Sequence, residues 1–377
     1  MTSDILSFTG GSIFDGTVLH EGVAARFRGG AFAELVPMAK VPATDATIDL
    51  KGDILSPGFV DLQVNGGGGV MLNDDPSVAT IATIAAAHRR LGTVALLPTL
   101  ITDTNAKTIE AIAAVKEAIA LKVPGVIGLH LEGPHLSVVR KGAHDATFIR
   151  PMQQDDLDVL LTAAANLPLL KVTVAPETVT TAQVRSLVSA GVLVSLGHTD
   201  ADYETCLDYA AAGASCVTHL FNAMSQLGNR KPGLVGAALD YGRLSAGVIA
   251  DGVHVHTASL RAAWAAKQGP GQLFLVTDAM AIAGTEEDRF TLNGRTVIRG
   301  EGQLRLEDGT LAGADLDLTT ALSVLVQKCG ISPAEALAAA TTVPAELAGI
   351  SGHTFRQKGL ALDHTVRLKK NLSNIIA

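Results

Sequence analysis

The chain has 377 residues, of which 47% are hydrophobic and 18% charged, and it carries a formal net charge of −8. That composition supplies a large core and excludes a disordered chain, while the acidic balance argues against a general nucleic-acid or anionic-membrane binder. The length suits one barrel of roughly 250 residues with a smaller companion.

The first 53 residues read as short strands punctuated by glycine, in ILSFTGGSIFDG, TVLHEGVAARFRGG, AFAELVP and TIDLKGD, and predict a small β unit. From Ile54 to Gly349 the texture changes. Eight β-rich apolar runs follow: ILSPGFVDLQV, GTVALLPTLI, GVIGLHLEGP, LLKVTVAPE, GVLVSLGHT, SCVTHLFNAM, LSAGVIADG and QLFLVTDAM. Between them lie amphipathic stretches of helical length such as PSVATIATIAAAHRR, TNAKTIEAIAAVKEAIA and TAQVRSLVSA. Fully buried strands alternating with helices predict a parallel sheet, and eight repeats predict closure into a TIM-type (β/α)8 barrel. An open doubly wound sheet competes, but no GxGxxG follows the first strand. GNRKPGLVGAALD reads as an elaborated loop. FTLNGRTVIRGEGQLRLEDG alternates like a hairpin pair, and DLTTALSVLVQKCG and SPAEALAAATTVPAELAG read as helices. Residues 350–377 are basic and are expected either to return to the small β domain, completing a sandwich, or to form a loose tail.

Cys206, Cys216 and Cys329 show no metal spacing and read as reduced, buried thiols of a cytoplasmic protein. MTSDILSFTGG lacks the basic and apolar regions of a signal peptide, and no apolar run approaches the roughly 18 residues of a membrane span. No membrane or nucleic-acid partner is therefore expected.

In such a barrel, chemistry collects where strands end. The runs end in Gln63 and Asn65, Thr99, Glu132, Glu177, His198, His219, Asp251 and Asp278. An acid from the third strand, histidines from the fifth and sixth and an acid from the eighth would converge on one mouth. Glu and His ligands suit a divalent ion such as Zn²⁺ or Fe²⁺ with a position open to water, whose pKa the ion lowers toward 7. Asp278 would then shuttle the proton. Each residue also has a plain structural reading: Asp278 as a turn cap, Glu132 as the partner of a barrel lysine, either histidine as a hydrogen-bonded core residue. Four of them at four predicted strand ends favour a site.

The ordered set PGFVDLQVNGGGG, HLEGPHLS, KGAH, SLGHTDADY, THLFNAM, RKPGLVGAALD, IADGVH and LVTDAM, spanning residues 57–280, resembles the N-acetylglucosamine-6-phosphate deacetylase family of the amidohydrolase superfamily. The resemblance implies hydrolytic release of acetate from a phosphorylated amino sugar. By motif it implies Glu132, His198 and His219 as ligands of one divalent metal per subunit, and Asp278 as general base and acid. It implies substrate contacts at Ala143, His144, Asn222, Ala223, Arg230, His254, Leu311, Ala312 and Gly313, with Arg230 on the phosphate. It further implies a homodimer in which Arg230 and His254 reach in from the neighbouring subunit. Gln63 and Asn65 stand where many amidohydrolases carry His-x-His, so a second metal is not expected. Asp61 is expected to order the strand end, and His135 to lie near the site without binding the metal. The C-terminal segment departs from the family, because it carries no copy of the usual Ala-Asp-Leu-Val type strand. The alternatives are an amidohydrolase acting on N-acyl amino acids or cyclic amides, and a non-catalytic amidohydrolase-like scaffold.

Overall fold

The run ILSPGFVDLQV is two strands rather than one. In the computed structural model, which describes residues 4–292 and 294–376, Ile54–Pro57 pairs with Ser12–Phe14 and with Thr365–Leu368 in a small five-stranded sheet. Phe59–Val64 then opens the barrel as β1. Gly58 marks the break; a Cβ there would meet Val94 Cγ1 at 2.4 Å, so only glycine fits where the chain changes sheet.

The barrel continues through β2 (Thr93–Ile101), β3 (Leu129–Glu132), β4 (Leu170–Val174), β5 (Leu193–Leu196), β6 (Cys216–Val217), β7 (Ser245–Val248) and β8 (Leu273–Leu275). Each strand pairs in parallel with the next. The ends meet through a Val64–Ala279 bridge, with Asp278 N donating to Gln63 O at 3.1 Å and Asn65 N to Ala279 O at 2.9 Å. These strands are buried almost throughout, as expected when a parallel sheet is covered outside by helices and filled inside by side chains.

The covering helices begin where side chains can satisfy free backbone N–H groups. Ser77 caps α1 (Val78–Arg90), Thr104 caps α2 (Asn105–Ala120), and Thr180 with Gln183 forms a capping box on α4 (Thr181–Ser189), after α3 (Gln154–Ala164). Then follow α5 (Tyr203–Ala211), α6 (Gly233–Asp240) and α7 (Thr257–Ala266). Helix α6 corrects the expectation of a loop throughout GNRKPGLVGAALD: only its first half is loop. Its glycines weaken intrinsic helix propensity. Burial of every residue from Gly233 to Leu239, and a cap from Ser225 Oγ to Leu234 N at 2.7 Å, override that weakness.

The segment expected to be a hairpin pair is a three-stranded meander, Arg289–Leu292, Arg295–Gly300 and Gln303–Leu306. Its apolar face packs on Met71, Ile101, Met280 and Ile282 beside the barrel mouth. Residues Ile5–Thr9, Val23–Arg28, Ala31–Pro37 and Ala46–Asp49 form a four-stranded sheet, whose core with the five-stranded one contains Phe8, Phe27, Phe32 and Phe355. The C-terminal segment is not a loose tail. Thr365–Leu368 and Ile375–Ile376 form a hairpin beside Ile54–Pro57, and Arg367 binds the Asp53 carboxylate at 2.7 Å and Leu50 O at 2.8 Å. All three cysteines are free and buried, and among the described residues no helix is long and apolar enough to cross a membrane.

Candidate metal centre and substrate pocket

The barrel carries Glu132, His198 and His219 to one point at its C-terminal end. Glu132 Oε1 lies 3.2 Å from His198 Nε2 and 3.0 Å from His219 Nε2, and the two ring nitrogens are 3.1 Å apart. All three residues are buried, and their ligand atoms lie within 4.8 Å of one another, so the group could hold a metal ion. The donor set suits a cation. His198 Nδ1 lies 2.8 Å from Arg140 O and donates to it, which turns the Nε2 lone pair inward. That lone pair faces a carboxylate oxygen and a second imidazole nitrogen, an arrangement that calls for positive charge at the centre.

The surrounding loops fix these side chains. Glu177, just beyond β4, accepts from Thr199 Oγ1 at 2.6 Å and Asp200 N at 2.7 Å, holding the loop that bears His198. Arg140 pairs with Asp200 at 2.7 Å, tying the KGAH loop to the same place. His198, His219, Phe221, Ala223 and Asp278 all have positive φ, between 30° and 78°. Left-handed backbone is uncommon for such residues and clusters at functional sites.

Asp278 follows β8 and keeps an opening into the pocket. Its Oδ1 accepts from Asn65 Nδ2 at 2.7 Å and from Gln63 Nε2 at 3.1 Å. Burial, reinforced by the nearby Glu132 charge, raises its carboxyl above the ordinary range, the direction a proton shuttle needs. Asp61 points elsewhere: it accepts from Thr277 Oγ1 at 2.5 Å and from Gln63 N at 3.1 Å, joining the first and last strands, and burial pushes it up to about 7.

A cavity of about 260 Å³ opens over these groups, lined also by Ala143, His144, Asn222, Ala223, His254, Leu311 and Gly313. His144 Nδ1 accepts from Thr102 N at 3.3 Å, so Nε2 carries the ring proton. Burial and the neighbouring His198 push its pKa down to about 3, which keeps it a neutral donor. His254 Nδ1 donates to Asp251 Oδ2 at 2.6 Å, and Asp251 is fixed in turn by Val253 N and His254 N. His254 therefore lines the pocket of its own chain, which corrects the expectation that it reaches in from a neighbour; the short turn after β7 folds it back over its own mouth. Arg230 does not line this pocket. It is exposed on the loop before α6 and has no ion-pair partner among the described residues. Ala312 is buried in the apolar cluster beneath the meander rather than in the pocket wall. His135 is buried outside the pocket with Nδ1 3.0 Å from Arg150 O. Ile101, Gly142, Ile249, Met280, Leu292 and Thr310 complete the wall. Their apolar or unremarkable identities carry no signal in the sequence. A larger cleft of about 430 Å³ lies near the start of β8, around Trp264 and Lys267, remote from Glu132, His198 and His219.

The amidohydrolase family model matches residues 54–354, the stretch that builds this barrel and its mouth. The chain belongs to the amidohydrolase family. An N-acetylgalactosamine-6-phosphate deacetylase from Shewanella sp. (strain ANA-3) is 44% identical over 297 residues, covering 79% of this chain and 75% of that protein. The N-acetylglucosamine-6-phosphate deacetylase of Haemophilus influenzae is 35% identical over 319 residues, covering 84% and 82%. The crystal structure of N-acetylglucosamine-6-phosphate deacetylase from Pasteurella multocida superimposes with a TM-score of 0.91 at 33% identity, covering 98% of this chain and 97% of that one. This amidohydrolase thus stands with the deacetylases that the ordered motifs resemble.

Proposed function

We propose that this amidohydrolase removes the acetyl group of N-acetylglucosamine 6-phosphate, yielding glucosamine 6-phosphate and acetate. The observation that carries the reading is the convergence of Glu132, His198 and His219 beside Asp278, in a pocket whose wall includes His144 and His254. A second reading is N-acetylgalactosamine 6-phosphate, the substrate named for the 44% identical Shewanella relative. The two sugars differ only in configuration at C4. Acetate release measured on both epimers, each with and without its 6-phosphate, separates these readings. Turnover of neither would overturn the proposal.

Glu132, His198 and His219 would hold one divalent ion, zinc or iron, because Gln63 and Asn65 are neutral and already bound to Asp278. When bound, that ion supplies Lewis acidity and a water acidified toward neutrality. Asp278 accepts a proton from the attacking water and returns it to the nitrogen as the C–N bond breaks. His144 and His254, each fixed at Nδ1, offer Nε2 to the sugar. Ala143, Asn222, Ala223, Leu311 and Gly313 shape the pocket around it, and Ala312 supports that wall from behind. Arg230 binds the phosphate of the neighbouring subunit's substrate in a homodimer, a role supported by its exposure outside its own pocket. The enzyme works in the cytoplasm, where its three buried thiols stay reduced.

A further inference from the structure

The two amides that close β1 are arranged at a cost. Gln63 Nε2 lies 3.1 Å from Asp278 Oδ1 and 3.1 Å from Glu132 Oε2, and Asn65 Nδ2 lies 2.7 Å from that same Asp278 oxygen. Both amides are fully buried. Their own oxygens, Gln63 Oε1 and Asn65 Oδ1, have no hydrogen-bond partner among the described residues. Turning either amide over would aim its oxygen at a carboxylate, so the donors must face Asp278 and Glu132. Two buried acceptors are thus left unpaired to keep two donors on one oxygen, and an unpaired buried group is unfavourable. No donor reaches Asp278 Oδ2 among the described residues. The backbone is held as firmly: Asp278 N donates to Gln63 O at 3.1 Å, and Asp278 O accepts from Ala314 N at 3.0 Å.

We infer that Gln63 and Asn65 are positioning residues, which pin Oδ1 of Asp278 and leave Oδ2 as the oxygen that takes and returns the proton. The proton moves from the attacking water to Oδ2, then from Oδ2 to the nitrogen as the C–N bond breaks, and the carboxylate ends as it began. Gln63 also acts as a crossbar that holds Asp278 apart from Glu132. The inference rests on the acid–base reading of Asp278.

Asn65 touches Asp278 but none of the three metal ligands, so Asn65→Leu is the cleaner test. Loss of a hydrogen bond to a charged group is expected to lower kcat by about ten- to a hundredfold. KM and the metal content per chain are expected to stay near wild type, and Asn65→Gln, which keeps a donor, to recover part of the loss. In an Asp278→Asn background the same change is expected to cost little more, because its effect passes through Asp278. Unchanged kcat in soluble Asn65→Leu enzyme overturns the inference. So does a rise in KM at constant kcat, which would make Asn65 a substrate contact, or loss of metal, which would make it a support of the ligand cluster. Should Asn65→Leu not fold, Gln63→Leu is judged by the same kcat, KM and background criteria. Near-normal turnover in Asp278→Asn alone would sink the acid–base reading itself, a result distinct from failure of the clamp.

Discussion

Replacing Asp278 by Asn isolates the proposed proton shuttle with little disturbance of shape. An asparagine Oδ1 can still accept from Asn65 Nδ2 and Gln63 Nε2, now at 2.7 and 3.1 Å. The new Nδ2 takes the place of the free oxygen and cannot accept a proton. General acid–base help contributes typically 10²–10⁴-fold, which at 1.36 kcal/mol per decade is about 3–5 kcal/mol of barrier. Because one carboxylate serves both proton steps, the loss should lie at the upper end. Stability should hold or rise, since the substitution removes a desolvated carboxylate that faces the charge on Glu132. Steady-state acetate release, metal analysis and a thermal melt on the same preparation give the three readings together. Turnover near wild type would refute the shuttle, and loss of metal along with activity would place Asp278 among the ligands.

His198→Ala or His219→Ala should remove metal and activity together, and elemental analysis of wild type should give one equivalent; two equivalents in active enzyme would refute the single-metal count. Arg230→Ala should lower kcat/KM for the phosphorylated sugar by about ten- to a hundredfold, the worth of a charge-assisted contact, and leave the unphosphorylated sugar nearly unaffected. In a mixed dimer of Arg230→Ala and Asp278→Asn chains about half the activity should survive if Arg230 serves the neighbouring site; activity as low as in the arginine variant would refute sharing. Acid should destabilise the fold from pH 6.5 downward. His88, His130, His135, His144 and His353 all titrate below 6.5 in the folded chain, each chiefly because burial disfavours its charged form. The unfolded chain then takes up protons that the fold refuses, and stability is lost as pH falls. Asp61, raised to about 7, works the other way by holding a proton when folded. His219, raised by its contact with Glu132, and Asp278, raised by burial, also hold protons when folded, which keeps the slope below about 5 kcal/mol per pH unit. A melting temperature that stays flat between pH 7 and 5.5 would refute this.

Which parts of the molecule were legible beforehand follows from the range of the forces involved. The eight barrel strands are buried on both faces, so each appears as an unbroken apolar run, and of the polar residues ending the runs Asn65, Glu132, His198, His219 and Asp278 gather at the mouth. Glu132, His198, His219 and Asp278 could be found that way. Helix α6 could not, because its glycines and the proline before it signal a loop, while the burial and the Ser225 cap that stabilise it come from elsewhere in the fold. The division at Gly58 was hidden within a continuous β-rich run and is set by the approach of Val94. The C-terminal hairpin owes its place to Ile54–Pro57, three hundred residues away in sequence, and to the Arg367–Asp53 pair. Arg140 was also out of reach: what orients His198 is its main-chain carbonyl, which no residue type advertises.

The conformations of the turns that carry His198, His219 and Asp278 were equally invisible, and they bear on why the site sits where it does. Five non-glycine residues at the mouth hold left-handed backbone, three of them being His198, His219 and Asp278. At roughly 1–2 kcal/mol each, their summed cost is about 5–10 kcal/mol, comparable with the net stability of a whole domain. Loops alone could not sustain that. Each of the three lies just beyond the end of a barrel strand, at Leu196, Val217 or Leu275, so the parallel ladder fixes the chain entering the turn. Cross-links such as Glu177 to Thr199, Asn222 N to His219 O and Asp278 N to Gln63 O fix the chain leaving it. The strain is therefore carried by the most rigid part of the molecule. In return, side chains from strands distant in sequence converge within hydrogen-bond range with little conformational freedom left to lose on binding a metal or substrate.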